Sequence, residues 1–238
     1  SIKLSALHPR YEEAQRERVL AELVPRVWTL CERAAGANVG LTIDAEEADR
    51  LELSLEVFEA LAARVAREHP QWRGFGLALQ SYQTRALELV EHVIGIARRH
   101  GLRFMCRLVK GAYWDGEIKR AQELGLPQYP VFTHKHHTDV SYLACARALL
   151  EAGDVIYAQF ATHNAGTIAA ILQMAQPSVS KHLRVLLDVG LVDVRRDGRQ
   201  AFYRTNADGI RPVHAWAAMF ERYWHDQLAR VKTRAERN

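Results

Sequence analysis

The sequence predicts an α/β chain in two parts: about five strand–helix units forming a parallel sheet, then a smaller part of helices and one hairpin. Three observations predict it. Short apolar runs alternate with amphipathic helical stretches over residues 1–167, the pattern of a parallel sheet covered by helices. Polar residues collect where those apolar runs end, which is where parallel barrels place their sites. The charge is divided as well: residues 1–167 hold 20 Lys and Arg against 21 Asp and Glu, a net of −1, whereas residues 168–238 hold 12 against 7, a net of +5. With 238 residues, 48% of them hydrophobic and 25% charged, the chain can bury a sizeable core in one large or two smaller domains. The boundary is placed between residues 167 and 168.

Residues 2–7 read as a strand and 11–35 as a helix, with Val19, Leu20, Leu23, Val24, Val27 and Leu30 on one apolar stripe. An apolar strand at 39–43 ends in Asp44, and the helix at 46–69 turns Leu51, Leu55, Phe58 and Leu61 inward. Strand 76–80 with helix 84–100 repeats the unit, as does strand 103–109 with helix 114–124. An irregular stretch, 127–137, leads to helix 139–152, and strand 155–160 ends the series. Closing an eight-stranded barrel would need three more strands, and five leave open sheet edges.

The polar residues fall in register with these strands. Lys3 lies in the first, Asp44 ends the second and Gln80 the third. Arg107 and Lys110 end the fourth, and Thr162, His163 and Asn164 follow the fifth. Taken singly, Asp44 reads as the N-cap of its helix and His163 and Asn164 as turn residues. Arg107 resists so plain a reading, because an unpaired charge within a buried parallel strand is costly. Beside Lys110 and Gly111, it suits an anionic ligand.

Cys31, Cys106 and Cys145 sit in apolar contexts without CxxC spacing, as reduced core residues of a cytoplasmic protein do. No apolar run reaches 18 residues, and the N-terminus has no signal-peptide shape. The chain starts at Ser1 directly on an apolar run, as expected of a piece of something longer.

In the second part, residues 167–175, a short turn and a helix over 177–189 have helix-turn-helix proportions. Pro177 in the first turn and Gly190 past the last satisfy the helix start and stop rules. That helix carries Gln176, Ser178, Ser180, Lys181 and Arg184 as polar residues against apolar Val179, Leu183 and Leu186. Strands at 191–195 and 200–204 flank Asp197-Gly198, a dipeptide suited to positive φ, with Arg195, Arg196 and Arg199 crowding the hairpin tip. A polar-fronted helix followed by a basic two-stranded wing is the layout for a helix in the major groove and a wing on phosphates. Double-stranded DNA is therefore the expected partner of residues 168–238, with an ordinary solvated hairpin as the plain alternative. Pro212 opens a last helix whose Val213, Trp216, Phe220, Tyr223, Trp224 and Val231 form an aromatic stripe, fit to pack on its own domain or to pair with a symmetry mate. His214 and His225 stand about 16 Å apart along it, too far to grip one metal within the helix, and no metal is expected.

The strings SIKLSALHPRYE, IDAEEADRLELSLE, RLVKGAYWD, IKRAQELGLP, TDVSYLACARALL and QFATHNA make residues 1–172 resemble the proline dehydrogenase family, in the form of the PutA-type bifunctional proline-utilisation flavoproteins. The resemblance implies an incomplete (β/α)8 barrel of about five units, with FAD over the strand ends. It also implies oxidation of L-proline to pyrroline-5-carboxylate by hydride transfer to the flavin. FAD contacts are implied for Gln80, Arg107, Val109, Lys110, Gly111, Trp114, Thr133, Lys135, Thr162, His163 and Asn164. Arg107 would favour the reduced, anionic flavin by placing positive charge at its reactive edge. Lys3 and Asp44 would line the proline pocket and Tyr113 would contact FAD; these three are the catalytic candidates. His134 stands where the family has another basic residue. The family's first strand has no counterpart here, nor do its last two strands and closing helix, since the sequence departs after Ala170. That helix carries the arginine pair that clamps the proline carboxylate, so weak or absent proline oxidation is expected.

The string QPSVSKHLRVLLDVGLVDVRRDGRQAFYR resembles ArsR-type winged-helix repressors, across residues 168–237. This implies a winged helix-turn-helix that binds DNA and a homodimer paired through the last helix. Gln173 replaces the family's turn glycine, and Pro212 and Leu228 replace ligands of its zinc-sensing members. One helix over 168–183 can serve as the exit of the first part or the start of the second. Three functions follow: a flavoenzyme of proline catabolism with a DNA-binding tail, a DNA-binding regulator with the barrel as scaffold, or a joining in which neither activity is intact.

Overall fold

The computed structural model describes residues 1–174, 186–197, 200–206, 208–209 and 211. The chain divides into two compact units, Ser1–Ala175 and Gln176–Asn238. The first unit runs α1 (Arg16–Gly36), β1 (Leu41–Ile43), α2 (Leu51–Glu68), β2 (Phe75–Gln80), α3 (Ala86–His100) and β3 (Phe104–Val109). It continues with α4 (Trp114–Glu123), α5 (Lys135–Glu151), β4 (Ile156–Phe160) and α6 (Ala165–Met174). The strands form a parallel sheet in the order β1-β2-β3-β4. When every right-handed crossover steps to the next strand in the same direction, the crossing helices all fall on one face of the sheet.

The strand sequences match that one-sided cover. In β3 the buried Phe104, Cys106 and Leu108 alternate with half-buried Met105, Arg107 and Val109. Register places Gly76, Ala78 and Gln80 of β2, and Tyr157 and Gln159 of β4, on the same side as Met105, Arg107 and Val109. The helix-covered face is therefore apolar throughout, and the opposite face is built largely of small and polar side chains.

Phe58 of α2 fixes the covered face by stacking on Phe75 of β2 (ring centroids 4.8 Å apart, planes 7° apart) and meeting Phe104 of β3 edge-on at 4.9 Å. Pairs of this kind add about 0.5–1.5 kcal/mol beyond their burial. Val19, Leu23 and Val27 of α1 and Val57, Leu61 and Val65 of α2, each set spaced by four, are fully buried. The inward face of α2 thus centres on Leu53 and Val57, and the expected Leu51 and Leu55 are only half-buried beside it.

Several expected boundaries move. The strand expected at 2–7 reduces to one bridge, Ile2 with Ile43, fixed by Ile2 N–H on the Thr42 carbonyl and Asp44 N–H on the Ile2 carbonyl (2.9 and 2.8 Å). A turn begins at once, with Leu7 N–H on the Leu4 carbonyl, so Lys3 lies beside a bridge and not within a strand. The five expected strands are four plus this bridge. Helices α1 and α2 start late because 3-10 turns, Glu13–Gln15 and Ala48–Arg50, precede them. Helix α5 starts early, at Lys135, because nothing in Lys135-His136-His137 breaks a helix once the chain has left Pro130.

In the second unit, residues 186–188 are helical and end at Gly190, whose φ is 71°. Leu191 N–H reaches the Leu186 carbonyl (2.8 Å) and Gly190 N–H the Leu187 carbonyl (3.0 Å), the bond pair with which a left-handed glycine finishes a helix. Strands β5 (Val192–Asp197) and β6 (Gln200–Thr205) then pair antiparallel, closed at the base by Asn206 N–H on the Leu191 carbonyl. Gly198 of the expected turn dipeptide, Arg199, most of the helix expected over 177–189 and the expected last helix lie outside the described residues. So do Gln176, Ser178, Ser180, Lys181, Arg184, His214 and His225. Among the described residues no helix is long and apolar enough to cross a membrane.

Candidate functional site

The polar residues of the first unit meet at the C-terminal ends of the strands. Arg107 leaves β3 on the uncovered face and donates to the Asp44 carboxylate just past β1. The reach crosses all of β2, and the residue it crosses is Ala78, the register partner of Arg107. A larger side chain there would stand between the two charges. Asp44 is therefore the counter-ion of Arg107 and not the N-cap of α2, whose N-terminus has no side-chain cap. The Arg107 side chain is 33% exposed and paired, so its charge is neither fully buried nor unmatched.

Gln80, the last residue of β2, is 2% exposed and spans two loops. Its amide nitrogen donates to the Glu46 carbonyl (2.8 Å), and its amide oxygen accepts from Ala112 N–H (3.1 Å). Gly111, one residue earlier, has φ 152°, and a Cβ there would fall 2.3 Å from the Tyr82 ring. Bare backbone is required at that point. Lys3 Nζ donates to the Tyr113 hydroxyl at 3.1 Å, and Trp114 Nε1 donates to the Phe132 carbonyl at 2.8 Å. Glu117, buried on α4, accepts from Ala48 N–H at 2.6 Å and so ties α4 to the loop that carries Asp44. Burial pushes the Glu117 carboxyl up, an effect the Ala48 hydrogen bond partly offsets.

A cluster of charges stands on the α5 side. Lys110 Nζ lies 2.5 Å from one Asp139 oxygen and Lys135 Nζ 2.7 Å from the other. These two bonds hold the Asp139 carboxyl below the usual carboxylate range. Tyr142, one turn further along α5 and fully buried, places its single O–H within reach of the Leu108 and Ala161 carbonyls (3.4 and 3.5 Å), between the ends of β3 and β4. Thr162, His163 and Asn164 follow directly. The Thr162 hydroxyl accepts from Asn164 N–H (3.1 Å), and the Asn164 side chain accepts from Thr167 N–H (2.9 Å), which makes Asn164 the N-cap of α6. Thr133 and His163 are exposed and Val109 is half-buried.

The structure thus adds Ala78, Asp139, Tyr142 and Glu117 to the residues singled out from the sequence. Only Ala78 had a legible signal, the alternation of small and large residues in Phe75-Gly76-Leu77-Ala78-Leu79. Asp139 and Glu117 read as ordinary helix-surface acids until the fold brings Lys110 and Ala48 to them.

On the hairpin of the second unit, Arg195, Arg196 and Arg204 are exposed. The Arg195 guanidinium lies 5.5 Å from the centroid of its cross-strand partner Phe202, and Asp193 stands opposite Arg204.

A family profile described as proline dehydrogenase matches residues 1–188. The chain belongs to the proline dehydrogenase family. It is 55% identical over 175 residues to the bifunctional protein PutA of Klebsiella aerogenes, a match covering 74% of this chain and 13% of that one. The first unit is also similar to a solved structure of proline utilization A (PutA) with proline bound in remote sites: the TM-score is 0.72 and the identity 55%, over 74% of this chain and 18% of that one. The chain therefore spans about an eighth of the length of the PutA relatives it matches. A separate match, 41% identical over 56 residues, is to the biofilm growth-associated repressor of Agrobacterium fabrum, covering 23% of this chain and 48% of that protein.

The proline dehydrogenase family is FAD-dependent. The donors at the strand ends fit a group of that kind. Two lysines share one carboxylate and leave a net positive charge for phosphates, and a guanidinium paired with Asp44 stands on the uncovered face of the sheet.

Proposed function

We propose that residues 1–167 form a PutA-like, FAD-dependent L-proline dehydrogenase segment with weak turnover, joined to a DNA-binding module of ArsR type over residues 168–238, in a cytoplasmic protein. The observation that carries the first half is the Arg107–Asp44 pair, held across Ala78, together with the Lys110–Asp139–Lys135 cluster, in a chain 55% identical over 175 residues to PutA. FAD, when bound, supplies the two-electron acceptor for proline oxidation. Arg107 places a fixed positive charge where electron density would gather, and Asp44 keeps that guanidinium oriented. Lys110 and Lys135 would take the phosphates, with Val109, Gly111, Trp114, Thr133, Thr162, His163 and Asn164 around them. Gln80 acts here by holding the two loops on either side. Lys3 and Asp44 would line the L-proline pocket, and Tyr113, which accepts from Lys3, would contact FAD. Weak turnover follows because no residue of this chain is assigned to clamp the proline carboxylate as the family's arginine pair does.

The test is the visible spectrum of the protein after FAD addition and desalting. A retained, perturbed flavin spectrum supports the reading, and a colourless, folded protein reduces the first unit to a scaffold. Ordinary turnover with proline and a dye acceptor would overturn the weak-turnover part.

A second reading, a DNA-binding transcriptional regulator alone, is favoured by the exposed arginines of the hairpin and the match to a repressor. The wing would lie on phosphates, the helix bearing Gln176, Ser178, Ser180, Lys181 and Arg184 would enter the major groove of double-stranded DNA, and the last helix would pair two copies. Duplex binding should weaken steeply with salt. Replacing Lys181, Arg184, Arg195, Arg196 or Arg199 by Ala should lower the salt slope by about one for each phosphate no longer neutralised. Binding indifferent to salt and to these changes would sink it.

A further inference from the structure

Asp139 has no assigned part in binding flavin, yet among the described residues it bridges both lysines of the cluster. One oxygen accepts from Lys110 at the end of β3, the other from Lys135 in the first turn of α5. Each ammonium has three donors, of which Asp139 occupies one, so both retain N–H groups for a ligand. The Lys135 side chain is 76% exposed and would otherwise sample many rotamers. Lys110 is steadied from a second side, since its Nζ lies 6.0 Å from the centroid of the Tyr142 ring. Two cations brought together on one carboxylate match a ligand with two linked anionic groups.

We propose that Asp139 is a positioning residue that forks Lys110 and Lys135 into a paired cation site for a diphosphate, here the diphosphate of FAD. This rests on the flavin reading. The sign of the effect separates positioning from plain charge. Removing a carboxylate from between two lysines strengthens their attraction for anions, so simple electrostatics requires tighter binding in Asp139→Asn. Positioning requires looser binding, because the lysine rotamers must then be ordered by the ligand.

The experiment titrates the full chain, and its Asp139→Asn and Asp139→Glu variants, with FAD, with riboflavin, which lacks phosphate, and with inorganic pyrophosphate. The unaltered chain should bind FAD more tightly than riboflavin. Asp139→Asn should cut that preference roughly tenfold while leaving riboflavin affinity unchanged. Asp139→Glu, which keeps a carboxylate four residues after Lys135, should restore most of it and shows that the loss is not one of folding. A preference unchanged or increased in Asp139→Asn overturns the proposal. If the unaltered chain binds neither flavin but takes pyrophosphate in an Asp139-dependent way, the fork stands and the flavin reading falls. If it binds neither flavins nor pyrophosphate, the fork falls as well.

Discussion

At the scale of single residues, the site depends on what is small as much as on what is charged. Ala78 is the gap through which Arg107 reaches Asp44, so Ala78→Leu should force the guanidinium aside and overpack the sheet, costing about 1–3 kcal/mol of stability in denaturant unfolding. It should also weaken retention of added FAD, and a variant with unchanged stability and retention would refute this account of Ala78. Glu117 makes a prediction in pH. Its folded carboxyl is pushed above the ordinary glutamate range, so its stabilising contribution is full below that range and is lost as pH rises through the raised value. Glu117→Gln keeps an acceptor for Ala48 N–H without the charge. The variant should match the parent at acid pH and equal or exceed it at neutral pH, as read from unfolding midpoints across the series. A variant less stable only at neutral pH would show that the buried charge is favourable. The alternation within β2 marks Ala78 as a small residue on one face, but what it makes room for, like the role of Glu117, needs a partner 29 or more residues away that only the fold supplies.

At the scale of elements, periodicity locates the helices and strands of the first unit, and the differences fall at the ends. The expected strand at 2–7 fails because an apolar, β-branched start says nothing about whether a neighbour continues beside it; Ile43 is the last residue of β1, and beyond it the chain turns away. Asp44 reads as a cap for the same reason: cap chemistry is local, and Arg107 reaches it only in the fold. Helix α1 holds Pro25 in its interior, on the exposed side. A proline there lacks the N–H that would bond to the carbonyl four residues back. Pro25→Ala should therefore raise stability by about 1–2 kcal/mol, after subtracting the greater freedom it gives the unfolded chain. An unchanged or lower unfolding midpoint would mean that the helix is already adapted to the proline.

At the scale of the whole molecule, the two units differ in how they are held. The first has a continuous apolar core under a parallel sheet, with Phe58, Phe75 and Phe104 at its centre. In the second, the described hairpin exposes Phe202 and Tyr203 beside its arginines. Composition anticipates that contrast, since the basic excess lies wholly after residue 167. The placement of polar residues at strand ends is equally legible, because it follows from the two-residue period of a strand. What the residues do to one another there is not, since Lys110, Lys135 and Asp139 come together only when α5 begins four residues early.

The two bonds of Gln80 carry one more consequence. Its amide is a donor toward one loop and an acceptor toward the other, so a carboxyl group of the same size can satisfy both only while it holds a proton. Gln80→Glu would therefore turn a permanent tether into one that opens on deprotonation. The bond lost is the one to the Glu46 carbonyl, since an ionised carboxylate still accepts from Ala112 N–H. Amide hydrogen exchange in the loop around Glu46 should therefore be slow in acid and accelerate, beyond its intrinsic pH dependence, once the new carboxyl ionises, while exchange at Ala112 should show no such acceleration.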